Sequence, residues 1–131
     1  MSYLLDTCAI LFVAENTTDL SAPTLRLIDA APVGSVFVSA ISVAEIACLQ
    51  ERGRITLKQH WRSWWDSLLQ KTAWICLPIT HQVLAEAYSL PPAVHRDPAD
   101  RVIIATARLN KLTLVTTDKK ILEYPHVTTL S

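Results

Sequence analysis

Tyr3–Glu15, YLLDTCAILFVAE, runs from an apolar triplet through one acid directly into a second apolar stretch. The first part reads as a short strand ending in Asp6. Thr7 is placed to cap a helix extending to about Glu15. Leu112–Tyr124, LTLVTTDKKILEY, repeats the pattern near the other end of the chain, with Asp118 between strand and helix. Between them the same alternation recurs. SVFVS (Ser35–Ser39) and WICLP (Trp74–Pro78) read as strands, and HVTTL (His126–Leu130) as a last one. Helices are predicted after Ser21, over Ser42–Gly53, over Leu57–Lys71, over Thr80–Leu90 and over Pro98–Asn110. The strands are continuous apolar runs, as expected when both sheet faces are buried. The reading is α/β: one α/β/α sandwich over residues 1–131 around a parallel sheet of about five strands.

The bulk composition agrees. Half of the 131 residues are apolar and only two are glycine, which suits one domain with a sizeable core. No apolar run reaches the ~18 residues needed to span a bilayer, so no membrane association is expected. The first residues carry an acid at position 6 and no basic stretch. A signal peptide is therefore not expected, and the cytoplasm is the expected compartment. Cys8, Cys48 and Cys76 are odd in number and widely spaced, and they read as reduced, buried fillers. Net charge is zero, so charge alone does not recruit a polyanion. Without a G-x-G-x-x-G or Walker loop, a nucleotide cofactor has no support.

Several acids lack a complete structural explanation. Asp6 and Asp118 follow strands, at the edge where open parallel sheets gather ligands; taken singly, each also reads as a helix cap. Glu45 is the only charge between Asp29 and Glu51, in the apolar helix ISVAEIACL, where a buried carboxylate needs a partner or a metal. Ser39 and Ser42 read there as caps only. In HRDPADRVIIATA (His95–Ala107), Asp97 precedes Pro98 as an N-cap, and Asp100 falls one helical turn later. Capping explains Asp97 well and Asp100 only in part. Carboxylates gathered from separate segments repel unless protons or a cation neutralise them. Oxygen donors without a histidine or cysteine pair suit Mg²⁺ or Mn²⁺. The implied chemistry is phosphodiester hydrolysis with metal-activated water.

These segments, LLDTCAIL, SAISVAEIA, HRDPADRVIIATA and LTLVTTDKKI, resemble the four acidic motifs of PIN-domain ribonucleases. They are most similar to VapC-type toxins of bacterial toxin–antitoxin pairs, in order and spacing over nearly the whole chain. The resemblance implies catalytic and metal-binding roles for Asp6, Glu45, Asp100 and Asp118, with Asp97 as an additional acid beside the metal. It implies that Thr117 is the hydroxyl beside the fourth acid. It further implies a homodimer that cleaves RNA, transfer or ribosomal, with Mg²⁺ or Mn²⁺, inhibits translation, and is blocked by a VapB-type antitoxin. Ala99 departs from the family's third motif, where an aromatic is common.

Arg96, Arg101, Lys119 and Lys120 flank the acids and offer phosphate contacts, or else an ordinary solvated surface. His95 offers proton transfer, set against an incidental loop histidine. Trp61, Trp64, Trp65 and Trp74 at helical spacing read first as core. The alternative is a groove for an antitoxin helix between the Leu57–Lys71 helix and the helix beginning near Ser42. Two other functions stay open within the same fold: an RNA-processing nuclease without an antitoxin, and a non-catalytic RNA-binding module, which would be expected to have lost acids. A receiver domain is disfavoured because the early acid pair is absent.

Overall fold

The computed structural model describes residues 1–92 and 96–131. Five parallel strands run β1 (Tyr3–Leu5), β2 (Val36–Ser39), β3 (Ile75–Leu77), β4 (Thr113–Val115) and β5 (Thr129–Leu130). The strand order is β3-β2-β1-β4-β5. The helices are α1 (Thr7–Ala14), α2 (Ala22–Ala30), α3 (Ile41–Glu51), α4 (Trp61–Thr72), α5 (His81–Ala87), α6 (Pro98–Leu109) and α7 (Lys119–Leu122).

The two-residue period of the strands divides the core. Tyr3, Leu5, Val36, Val38 and Val115 pack on one face with Ile10, Ile28, Ile46, Trp65 and Leu68. Leu4 and Leu114 point the other way, against Ile103, Ile104, Ala107 and Ile121. Both faces are apolar, which is why the strands lack polar alternation. The predicted sandwich is the observed one. Helix α5 packs outside α6 through Val83, Ala87, Val102 and Ala105.

Starting from β1, the chain builds the sheet outward through β2 and β3, then returns to β4 on the other side. The order reverses between β1 and β4, so their carboxyl ends open a crevice. Leu5 is in register with both Val38 and Val115, which brings the following residues Asp6, Ser39 and Thr116 level at that edge.

Local details depart from the sequence reading. The cap of α1 is Asp6, whose Oδ1 accepts from the Ala9 amide at 2.8 Å; Thr7 is already helical. Ser39, also read as a cap, precedes the observed N-cap Ala40, although its Oγ accepts from the Ile41 amide at 3.2 Å. Ser42, read as a cap, lies inside α3 and is fully buried. Helix α4 begins at Trp61 instead of Leu57, because His60 Nδ1 accepts from the Arg62 amide and starts it there. The cysteines are not buried fillers: Cys8 and Cys48 are exposed and Cys76 is half-buried, all with free thiols. Cys8 and Cys48 sit on helix positions turned away from the core, a placement their wide spacing could not reveal. Among the described residues, no helix is long and apolar enough to cross a membrane.

Candidate active site

Asp6, Glu45, Asp100 and Asp118 come from four separate segments and line one cavity of about 210 Å³, together with Thr7, Cys8, Ile103 and Thr117. The cavity opens at the crevice between β1 and β4. A larger open cleft, about 550 Å³, includes Arg108, Lys111, His126 and Thr113 at the start of β4. It therefore lies at the amino ends of the strands, and the chemistry points to the smaller cavity.

Three acids at this edge are N-caps. Asp6 caps α1, Asp97 caps α6 by accepting from the amides of Ala99 (2.8 Å) and Asp100 (3.3 Å), and Asp118 caps α7 by accepting from Lys120 (2.8 Å) and Ile121 (3.4 Å). Backbone N–H groups and the positive helix ends thus offset part of the charge. Capping and site membership are not alternatives here, because a carboxylate has about four lone-pair positions and a cap occupies only one or two. Asp100 sits in the first turn of α6, half-buried.

Hydroxyls hold the acids. Thr116 Oγ1 donates to Asp6 Oδ2 at 2.5 Å and accepts from the Asp118 amide at 3.0 Å, tying the ends of β1 and β4 together. Thr7 Oγ1 donates to Glu45 Oε1 and also meets Ser42 Oγ at 2.9 Å. Sequence reasoning missed Thr7, Ser42 and Thr116 as supports. It selected Thr117, which does line the cavity. The signal for Thr116 was strand register, which places the residue after Val115 beside the residue after Leu5.

The electrostatics record crowding. Burial, then the charges of Asp97, Asp118, Glu45 and Asp6, push Asp100 up to about 7. Burial raises Asp6 as well, against the hydrogen bonds from Thr116 and Ala9. Glu45 is raised by burial, opposed by its bond from Thr7 and reinforced by Asp97 and Asp6. Cys8 is exposed as a residue but lines the cavity, and partial burial there, then the charges of all four cavity acids, push its thiol up to about 11. Among the described residues no three His, Cys, Asp or Glu side chains are already close enough together to hold a metal ion. An oxygen-rich donor set whose carboxylates resist ionisation together nonetheless fits a hard divalent cation, which supplies the missing charge. Asp6, Glu45, Asp100 and Asp118 are the residues that would hold it.

The basic residues distribute differently. Arg96 and Lys119 are exposed beside Asp97 and Asp118 in sequence. Arg101 turns toward α5: its Nη1 donates to the Ala87 carbonyl at 3.3 Å, and its guanidinium lies 5.3 Å from the Tyr88 ring centroid. None of the three lines the cavity. The proton-transfer reading of His95 falls outside the described residues.

Comparison with known proteins agrees with this architecture. The family model described as PIN domain matches residues 3–127. Ribonuclease VapC22 of Mycobacterium tuberculosis is 39% identical over 89 residues, covering 68% of this chain and 67% of that protein. Among solved structures, FitAcB from Neisseria gonorrhoeae superposes with a TM-score of 0.71 at 22% identity, covering 98% of this chain and 96% of the matched one. A toxin–antitoxin complex from Klebsiella pneumoniae gives 0.70 at 18% identity (99% and 97% covered). VapBC2 from Rickettsia felis, bound to a promoter DNA fragment, gives 0.69 at 17% identity (98% and 97%). These structures share the fold, and the family match spans nearly the whole chain. The protein belongs to the PIN-domain family.

Proposed function

We propose that this chain is a cytoplasmic endoribonuclease, the toxin of a toxin–antitoxin pair, that inhibits translation by cutting RNA with Mg²⁺ or Mn²⁺ at Asp6, Glu45, Asp100 and Asp118. The observation that carries the reading is the shared cavity of these four acids at the β1/β4 crevice. Identity to a ribonuclease over two thirds of the chain supports it. When bound, the metal would lower the pKa of a water and stabilise charge on the phosphate oxygens. The chain's own part is to keep the carboxylates in place, through the caps of α1 and α7 and the Thr116 and Thr7 hydroxyls. Asp97 borders the site and adds negative charge beside Glu45. Arg96, Lys119 and Thr117 are assigned to RNA phosphates. Arg101 reaches RNA only through guanidinium N–H groups not engaged with Ala87.

A VapB-type antitoxin is the proposed partner. Helices α3 and α4, between which the groove was expected, pack against each other. An open groove of about 310 Å³ lies on another side of α4, between Trp64, Leu68 and Trp74 and the end of α1 at Val13 and Ala14. This groove suits an apolar helix of the antitoxin. A second copy of the chain would cover Ile79, Leu84 and Tyr88, which are exposed on and around α5.

The test is induced expression of the wild type beside Asp6→Asn, with purified protein incubated with transfer and ribosomal RNA. Asn caps a helix about as well as Asp, so the variant retains the fold. Growth arrest and chelator-sensitive cleavage by the wild type alone are expected. Equal cleavage by both proteins, or full cleavage in excess EDTA, would sink the reading.

A further inference from the structure

We propose that Ser42 is a positioning residue for the nuclease site, its hydroxyl directing the Thr7 hydroxyl proton onto Glu45. The inference rests on the ribonuclease reading and deepens it.

Ser42 is 0% exposed and Thr7 is 5% exposed, so both hydroxyls depend mainly on protein partners. Ser42 precedes Glu45 by three residues, one turn of α3, so both side chains lie on the same helix face. Thr7, the first residue of α1, stands between them and contacts both. A serine inside a helix ordinarily bonds back to its own backbone or faces solvent; this one is turned across to another helix. In an otherwise apolar segment, alanine would fill the space without burying a hydroxyl.

Proton counting gives the contacts a direction. A threonine hydroxyl has one proton, and an ionised carboxylate only accepts. With Glu45 ionised, as a cation ligand must be, Thr7 gives its proton to Glu45 Oε1. The 2.9 Å contact between the hydroxyls then leaves Ser42 as the donor and Thr7 as the acceptor. The chain runs Ser42 to Thr7 to Glu45, and each bond polarises the next. Its effect is to hold the long Glu45 side chain in one rotamer before the cation arrives, so binding does not have to order it. Ser42 touches neither cation nor RNA in this scheme and acts through Thr7 alone.

The test uses the full chain and compares wild type, Ser42→Ala, Thr7→Val and the double variant. Mn²⁺ affinity is titrated by electron paramagnetic resonance of the free ion, RNA cleavage is measured in parallel, and melting in EDTA checks folding. Outer-shell partners of metal ligands typically contribute about 10–100-fold in affinity or activity. Thr7→Val is therefore expected to weaken Mn²⁺ binding by about ten-fold, and Ser42→Ala by about three-fold or more. The double variant should be no worse than Thr7→Val, because Ser42 has no other route to the site. Unchanged Mn²⁺ affinity in Ser42→Ala, or losses that multiply in the double variant, would overturn the proposal. If Ser42→Ala does not fold, Ser42→Cys, somewhat larger and a much weaker donor, replaces it; a smaller loss of Mn²⁺ affinity is then expected, and unchanged affinity again overturns the proposal. Wild-type protein that binds no Mn²⁺, or an Asp6→Asn variant that cleaves normally, would instead overturn the ribonuclease reading itself.

Discussion

Asp100 is the residue at which burial and like charge combine most strongly. Its folded pKa of about 7 lies well above the ordinary value of 3.8. In metal-free protein the folded state therefore holds this proton more tightly than the unfolded chain does. Stability then falls as pH rises from about 4 to 7, because ionisation is easier after unfolding. Below 3.8 both states are protonated and the penalty vanishes; above about 7 it is fully present. Asp100→Asn removes this contribution, so in EDTA at pH 8 it should melt at or above the wild-type temperature while losing cleavage. A markedly lower melting temperature would make Asp100 chiefly structural. Asp97 behaves differently because its carboxylate caps α6 and asparagine caps equally well. Asp97→Asn should keep the fold and retain partial cleavage, against essentially none for Asp100→Asn. Parallel single-turnover assays separate the two, and complete loss in both would make Asp97 a direct ligand.

At the scale of the element, α4 divides its tryptophans by helical phase. Trp65 is 7% exposed and packs in the core with Leu68, whereas Trp64 is half-buried and lines the groove facing α1. Trp65→Ala leaves a large cavity and should cost about 3–5 kcal/mol of stability, read from denaturant melts. Trp64→Ala should stay folded and weaken antitoxin binding by about 2 kcal/mol, roughly thirty-fold in Kd, measured by calorimetry. Unchanged affinity in Trp64→Ala would move the antitoxin to another surface. Helix α6 shows a related economy. One end places Asp100 in the cavity with Asp97 as its exposed cap, and the other is anchored by Arg108, whose Nε donates to Glu86 Oε1 at 2.8 Å.

For the whole molecule, the sheet is a device for bringing distant acids to one edge. Asp6 and Thr116 are 110 residues apart in the chain and meet because β1 and β4 are neighbours. That arrangement concentrates negative charge in the folded state only, so a divalent cation should stabilise the fold. A cation at about a hundred-fold excess over its Kd, binding only the folded state, adds about 2.7 kcal/mol. Thermal melts with Mn²⁺ should rise accordingly for the wild type, and much less for Asp6→Asn or Asp100→Asn. An equal rise in all three proteins would place the ion elsewhere.

The amino-acid sequence by itself determined the alternation of strands and helices, the parallel sheet and the oddity of Glu45, while its resemblance to the PIN-domain motifs singled out the four acids that line the cavity. Those features are local or periodic: continuous apolar runs mark doubly buried strands, and an isolated glutamate in an apolar helix is visible without coordinates. Tertiary structure alone decided which hydroxyls support the acids, which tryptophan faces the groove, and where Arg101 points. Thr116 and Thr117 are adjacent and chemically alike. Only the register of Leu5 with Val115 sets Thr116 beside Asp6 and leaves Thr117 to line the cavity. Likewise Ser42 resembles a cap in one dimension, and becomes a buried partner of Thr7 only when α1 and α3 pack together. Contacts between remote segments depend on register and helix packing, and no short stretch of residues encodes either one.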